Sequence, residues 1–229
     1  MAHAARPPRR GAPAKLVSPG LALVLGVSLT ACSGIPGIFV IEKPGASATG
    51  AGRAKKFDAT AYADRVWVSK VVPAARKNAV DAATLLPALR KDQKAAGTRY
   101  GKRSGAGSPY SFLIKGTGTV TGVTNTSGAG SIRLKVAGAG KTDVNLAIGP
   151  AIVGTAIRDA VGFIKFSGFT NQIDYANVAT ALNNKVKKTV LNDLDRGSIK
   201  GKKVTFTGAF QLLTSSSVMI TPITLEVGS

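Results

Sequence analysis

Side chains suited to covalent or metal chemistry are scarce in this chain. Its 229 residues include one cysteine, Cys32, and one histidine, His3. His3 falls in an N-terminal stretch that reads as removable, which leaves the rest of the chain without an imidazole. A Ser-His-Asp arrangement and a histidine-bearing metal site both fail on that inventory. No catalytic residue, metal or cofactor is expected, and an enzyme is the class least compatible with these residues. What remains is polar chemistry for holding a ligand. Arg158 and Asp159 interrupt an apolar stretch, where charged groups are normally paired. Being adjacent, they are expected to point different ways, each fixing a long connection by pairing with backbone or with a partner elsewhere. The alternative has Arg158 facing a groove and holding an anionic or hydroxyl-rich ligand. Asn171 and Gln172 offer amide donors and acceptors for sugar hydroxyls, or they cap the next helix, where Asp174 is the expected N-cap. Trp67, the sole tryptophan, is expected to pack its helix onto the domain, with ligand stacking as the other use. Ligand-binding candidates are thus Trp67, Arg158, Asp159, Asn171 and Gln172. Gly116, Gly118 and Gly122 in GTGTVTG imitate a phosphate loop, but no Lys-Ser/Thr pair and no helix follow. They read as curvature in a strand. Asp193 and Asp195, among lysines, are expected to be solvated.

Cys32 carries the one covalent prospect. Residues 1–15 are basic, with Arg6, Arg9, Arg10 and Lys15, and Pro7, Pro8 and Pro13 prevent regular structure. Residues 16–31 are apolar around Leu21, Leu23, Val24, Leu25, Val27 and Leu29. A basic region, a short apolar region and a small-residue cleavage site are the layout of a secretory signal. Pro19 and Gly20 interrupt the apolar stretch, which falls short of the ~20 residues a spanning helix needs. It ends in Leu29-Thr30-Ala31-Cys32, which resembles a lipobox, where diacylglycerol joins the cysteine thiol before the signal is cut away. The alternative is a free cysteine closing an ordinary signal. The lipobox reading makes residues 1–31 the signal and residues 32–56 a lipidated tether rich in Gly, Ala and Ser. It makes membrane lipid the first partner and places the chain on the extracytoplasmic side of a membrane. Several acyl chains anchor stably where one does not, and a lone cysteine excludes an internal disulfide.

The formal charge is +20. Four of the 31 basic residues lie before Cys32, leaving 27 against 11 acidic ones. Such an excess favours anionic partners such as headgroups, wall polymers or nucleic acid, or it serves solubility alone.

The elements that must position the candidates follow from periodicity. From Phe57 to about Gly97 the apolar spacing is helical, with Asp58 as N-cap and breaks expected at Pro73 and Pro87. From Tyr110 the period changes to two. Residues 112–123, 131–136 and 143–148 read as strands joined by glycine turns. A helix follows from Tyr175 to about Leu194, with Val178, Leu182, Val186, Val190 and Leu194 spaced by four and Gly197 near its C-cap. Residues 203–213 and 218–227 close the chain as strands, Pro222 marking an edge or a bulge. Three strands, a helix and two strands is the order of the five-stranded oligonucleotide/oligosaccharide-binding barrel, the OB-fold. The fold class expected is α+β: an OB-fold-like barrel over residues 109–229, preceded by a helical segment over residues 57–108. Between the third strand and the helix runs a long connection, with Phe163, Phe166 and Phe169 close together. Connections of that length are usually functional or structured in themselves.

The run GPAIVGTAIRDAVGFIKF…FTNQIDYANVATALN, with Tyr62…Trp67, Pro73, Tyr100-Gly101, Gly201-Lys202-Lys203…Gly208-Ala209-Phe210 and Thr221-Pro222, resembles a family of predicted periplasmic lipoproteins, domain of unknown function 2291. The resemblance covers nearly all of the chain from Phe57. It implies an OB-type barrel behind a helical segment, and a place beside sugar-type ABC transporters, with transporter components and carbohydrate as partners. It carries no catalytic residues. The expected function is a membrane-anchored, non-catalytic binding or accessory module. The alternative is a polyanion-binding envelope protein, for nucleic acid or wall polymer.

Overall fold

A computed structural model describes residues 56–125 and 128–228. The export signal, Cys32 and the tether through residue 55 lie outside the described residues.

Asp58 starts helix α1 (Ala59–Val66): its Oδ1 accepts from the Thr60 and Ala61 amides at 2.9 and 3.0 Å. The chain then widens into a π-wound turn, Trp67–Val71, and continues as α2 (Val72–Asn78). Pro73 does not break the helix as expected. Its missing N–H and its ring are accommodated at the start of α2, where the Val72 amide reaches back five residues to the Trp67 carbonyl. A wide turn of this kind is a usual way to absorb such a local misfit.

After a two-residue strand, β1 (Val80–Asp81), comes α3 (Ala82–Lys91), with Pro87 inside it. The break expected at Pro87 falls instead at Asp92, whose extended backbone separates α3 from α4 (Gln93–Tyr100). The Asp92 carboxylate caps α4 through the Ala95 amide at 2.9 Å. An interior proline costs a helix about 3 kcal/mol. Leu85, Leu86 and Leu89 are all buried in the core, and at about 1.5–3 kcal/mol each they outweigh it.

The remaining strands are β2 (Ser111–Asn125), β3 (Gly130–Val136), β4 (Asp143–Ala147), β5 (Lys203–Gln211) and β6 (Ser217–Val227). They form a six-stranded sheet in the order β1-β2-β3-β4-β6-β5, with a further pairing between β2 and β5. The strand beyond the five expected is β1, which runs parallel to β2 with Val80 opposite Ile114. Strand β2 serves two neighbours: Ser111–Thr119 pairs with β5, and Gly118–Asn125 with β3. Where the two partnerships overlap, a Cβ on Gly118 would lie 2.8 Å from Val136 Cγ2 and 2.9 Å from the Lys135 carbonyl. The glycines of GTGTVTG do lie on a strand, as expected, and Gly118 allows a close approach between its two partners.

Between β4 and β5 lie α5 (Ala156–Ala160), a 3-10 turn at Phe166–Gly168, and α6 (Gln172–Thr189). Helix α6 buries Val178, Leu182 and Val186. It stops at Thr189 rather than near Leu194, so Gly197 is not its cap. One cluster of buried side chains unites the helical segment with the strands, from Val71 and Leu85 through Phe112, Phe206 and Phe210 to Leu182.

Gly149 marks a very tight approach between the loop after β4 and the start of β3. A Cβ there would collide with the backbone nitrogen of Gly130 and sit 2.8 Å from the Ala129 carbonyl carbon. Both obstacles are backbone and cannot rotate away. Gly149→Ala is expected to destabilise the fold by about 1–3 kcal/mol, the cost of overpacking, read as a lower midpoint in urea unfolding.

Candidate functional site

The sequence candidates divide in the structure. Trp67 is 3% exposed and belongs to the core. Asn171, not Asp174, is the N-cap of α6: its Oδ1 accepts from the Asp174 amide at 2.8 Å, while its Nδ2 donates to Asp174 Oδ2 at 2.9 Å. The two residues share one reciprocal cap, with Asp174 in the supporting position. Gln172 opens the first turn of α6 and is exposed. Asp193 and Asp195 are both exposed. Asp195 accepts from the Gly197 and Ser198 amides, and its contacts to Ser198 and Gly197 hold its carboxyl below the usual value.

Arg158 and Asp159 do not point apart. Helix α5 buries both, and the arginine folds back so that Nε meets Asp159 Oδ1 at 2.8 Å. Thr155 Oγ1 donates to Asp159 Oδ2 at 2.7 Å, and the Tyr175 hydroxyl lies 3.4 Å from Oδ1. Arg158 Nη1 donates to the Tyr175 carbonyl at 3.2 Å, with the guanidinium 3.7 Å from the centre of the Tyr175 ring. Adjacent side chains can meet because arginine is long enough to turn back along the helix surface. Around this pair Phe57, Tyr62, Phe169, Tyr175 and Phe166 form a chain of ring contacts at 5.4 to 5.8 Å. The arrangement joins α5 to α6 and engages Arg158 Nε and Nη1 and both Asp159 carboxylate oxygens within the protein.

Tyr175 pays for its place in ionisation: burial foremost, and the Asp159 charge besides, raise its phenol above the ordinary 10.0. Tyr62 is raised as well, again chiefly by burial. A folded value above the unfolded one means that this stability is fully present below pH 10 and is lost as pH rises through the folded values. Tyr175→Phe is therefore expected to shallow the alkaline decline in thermal stability, measured by melting across pH 9 to about 11.

The concavity best suited to a ligand lies elsewhere, on the outward side of β3, β4 and β6. Ser131 stands opposite Ala147, and Asn145 opposite Met219. Core residues alternate with these positions: Ile132, Leu134, Val144, Leu146, Val218 and Ile220 are buried. The outward side opens into a groove of about 500 Å³, lined by Ser131, Ala147, Ile152, Val153, Leu213 and Met219 among others. Val153, Leu213 and Met219 are 84, 79 and 53% exposed, an unusual concentration of aliphatic surface.

The groove's walls are held in place. Buried Asn183 on α6 donates from Nδ2 to the Ile152 and Gly154 carbonyls at 3.3 and 2.9 Å, fixing the wall that bears Val153. Arg196 reaches the Ile148 carbonyl at 3.2 Å. Thr142 Oγ1 donates to the Ser215 carbonyl at 3.0 Å, tying down the β5–β6 loop that carries Leu213. A wall already fixed loses little freedom when something docks. Sequence reasoning missed these residues. The one available signal was Met219, at an outward position of a strand whose neighbours Val218 and Ile220 point inward.

Among the described residues, no three His, Cys, Asp or Glu side chains converge as for a metal, and no helix is long and apolar enough to cross a membrane. The comparisons with known proteins bear on how the chain meets a membrane. A family model described as "Predicted periplasmic lipoprotein (DUF2291)" matches residues 22–226, a span that includes Cys32. The chain belongs to this family. As a DUF2291 lipoprotein it is anchored through lipid on the extracytoplasmic side of a membrane, the location expected from the sequence. No curated protein matches it. Among solved structures it is similar to an OB-fold protein from Thermotoga maritima MSB8, at 26% identity and a TM-score of 0.64. The match covers 76% of this chain and 100% of that one. This DUF2291 member is thus OB-fold-like, with a mixed α+β architecture.

Proposed function

We propose that the protein is a non-catalytic accessory module, held to the membrane by Cys32, which docks a polypeptide partner in the groove on β3, β4 and β6. The observation carrying this reading is the concentration of exposed Val153, Leu213 and Met219 in a pre-formed groove. The five strands other than β1 follow the path β2-β3-β4-β6-β5, and its ends meet in the β2–β5 pairing. We read that path as the closed barrel of an OB-fold. OB-folds bind on the sheet face that includes the second and third barrel strands, here β3 and β4. The groove offers aliphatic surface rather than aromatic rings, which suits a protein segment better than a sugar or a base. The resemblance to lipoproteins beside sugar-type importers supplies the partner class, a component of an ABC transport system.

The polyanion alternative draws on the excess of basic residues. Arg133 and Lys135 are exposed on β3, but this face carries no aromatic platform on which bases would stack.

The experiment is co-purification of transporter components with the lipidated protein after crosslinking in its own cells. Leu213→Asp buries a charge in any docked partner and is expected to lower recovery at least about tenfold. Its melting temperature should stay unchanged, because Leu213 is exposed. Equal recovery with the aspartate variant would remove the groove from the account.

A further inference from the structure

A second concavity, of about 540 Å³, lies between residues 102–104 and residues 162–167. Lys102, Arg103 and Lys165 line it, together with Ser104 and Ser167. Its one acid is Asp159, whose charge is already met by Arg158. The ion pairs found among the described residues are Arg158–Asp159 and Lys185–Asp64, and neither involves a cation of this cleft. Three positive charges therefore face the opening without an acid to balance them.

Aromatic residues stand beside them. Phe166 lines the cleft and is 49% exposed, and Phe163 is 37% exposed. Lys70 Nζ lies 5.9 Å from the centre of the Phe163 ring, and the Arg103 guanidinium lies 4.0 Å from that of Tyr110. Exposed rings mixed with cations are suited to the headgroup level of a bilayer, where a ring enters the interface and a cation meets phosphate. The protein is lipid-anchored, and 24 residues separate Cys32 from Phe57. Even fully extended, they hold the domain within about 90 Å of the anchor, so the bilayer is present at high effective concentration.

We propose that this cleft seats the phosphate of an anionic phospholipid headgroup and lays this face of the anchored domain on the membrane. Lys102, Arg103 and Lys165 meet the phosphate, Ser104 and Ser167 donate to its oxygens, and Phe163 and Phe166 enter the interface. Each basic residue near an anionic surface contributes roughly fivefold to partitioning.

The test is hydrogen exchange of the amides over residues 162–167 in the full lipidated chain. It compares vesicles of phosphatidylcholine alone with vesicles also containing phosphatidylglycerol. Exchange should slow by about tenfold or more on the anionic vesicles, and raised salt should remove the protection. The triple variant Lys102→Ala, Arg103→Ala, Lys165→Ala should lose it, whereas Lys187→Ala with Lys188→Ala on α6 should keep it. Equal exchange on both vesicles overturns the proposal, as does protection that survives the triple variant. Equal protection of the detergent-solubilised protein by soluble glycerol 1-phosphate also overturns it, because the site would then serve a free phosphate.

Discussion

Replacing Cys32 with serine is expected to abolish lipid attachment and to leave the precursor uncut. The reasoning is chemical. In the lipobox reading the thiol sulfur takes the diacylglycerol, and the cut in front of residue 32 follows that transfer. Serine keeps the size and the hydrogen bonding but offers a far weaker nucleophile, and no other cysteine exists in the chain to substitute. The family match spans this position. Incorporation of labelled fatty acid should fall to background, and the mass of the accumulated protein should retain residues 1–31. Labelling of the serine variant at the normal level would place the lipid on another residue.

Arg158→Met is expected to be the most damaging single change inside the domain. It leaves the Asp159 carboxylate, 3% exposed, without its cation and with only Thr155 and Tyr175 as partners. Breaking a buried pair from one side costs about 3–5 kcal/mol. For a chain of this size each kcal/mol shifts the melting temperature by about 2–4 °C, so a drop of roughly 6 to 20 °C should be seen. Removing both charges, with Arg158→Met and Asp159→Leu together, should recover much of that loss, since no lone charge then remains. A double variant less stable than Arg158→Met would show that packing around the pair, rather than its charge balance, carries the energy.

The same pair shows where sequence reading stops. That charged residues in an apolar stretch are paired was legible. That they pair with each other was not, because it depends on an arginine turning back along a helix too short to be recognised. Helix α6 was legible through Val178, Leu182 and Val186. Its end was misread because Val190 and Leu194 keep the four-residue spacing beyond Thr189. Asn171 and Asp174 are both good capping residues three positions apart, and only the structure shows which accepts from the other's amide. The strand β1, two residues long, has no period to detect. The glycines of GTGTVTG were legible because their spacing keeps them on a strand. The groove was hidden because Ser131, Val153, Leu213 and Met219 lie on segments distant in sequence and come together only when the sheet and its loops are assembled.

The groove is also where the account can be tested most directly. A photo-crosslinking amino acid at position 219, in the lipidated protein in its own cells, should join it to one polypeptide component of a transport system. Leu213→Asp should abolish that product while the protein remains folded and anchored. Crosslinks to lipid or to nothing at position 219, or a protein crosslink unaffected by Leu213→Asp, would contradict the account.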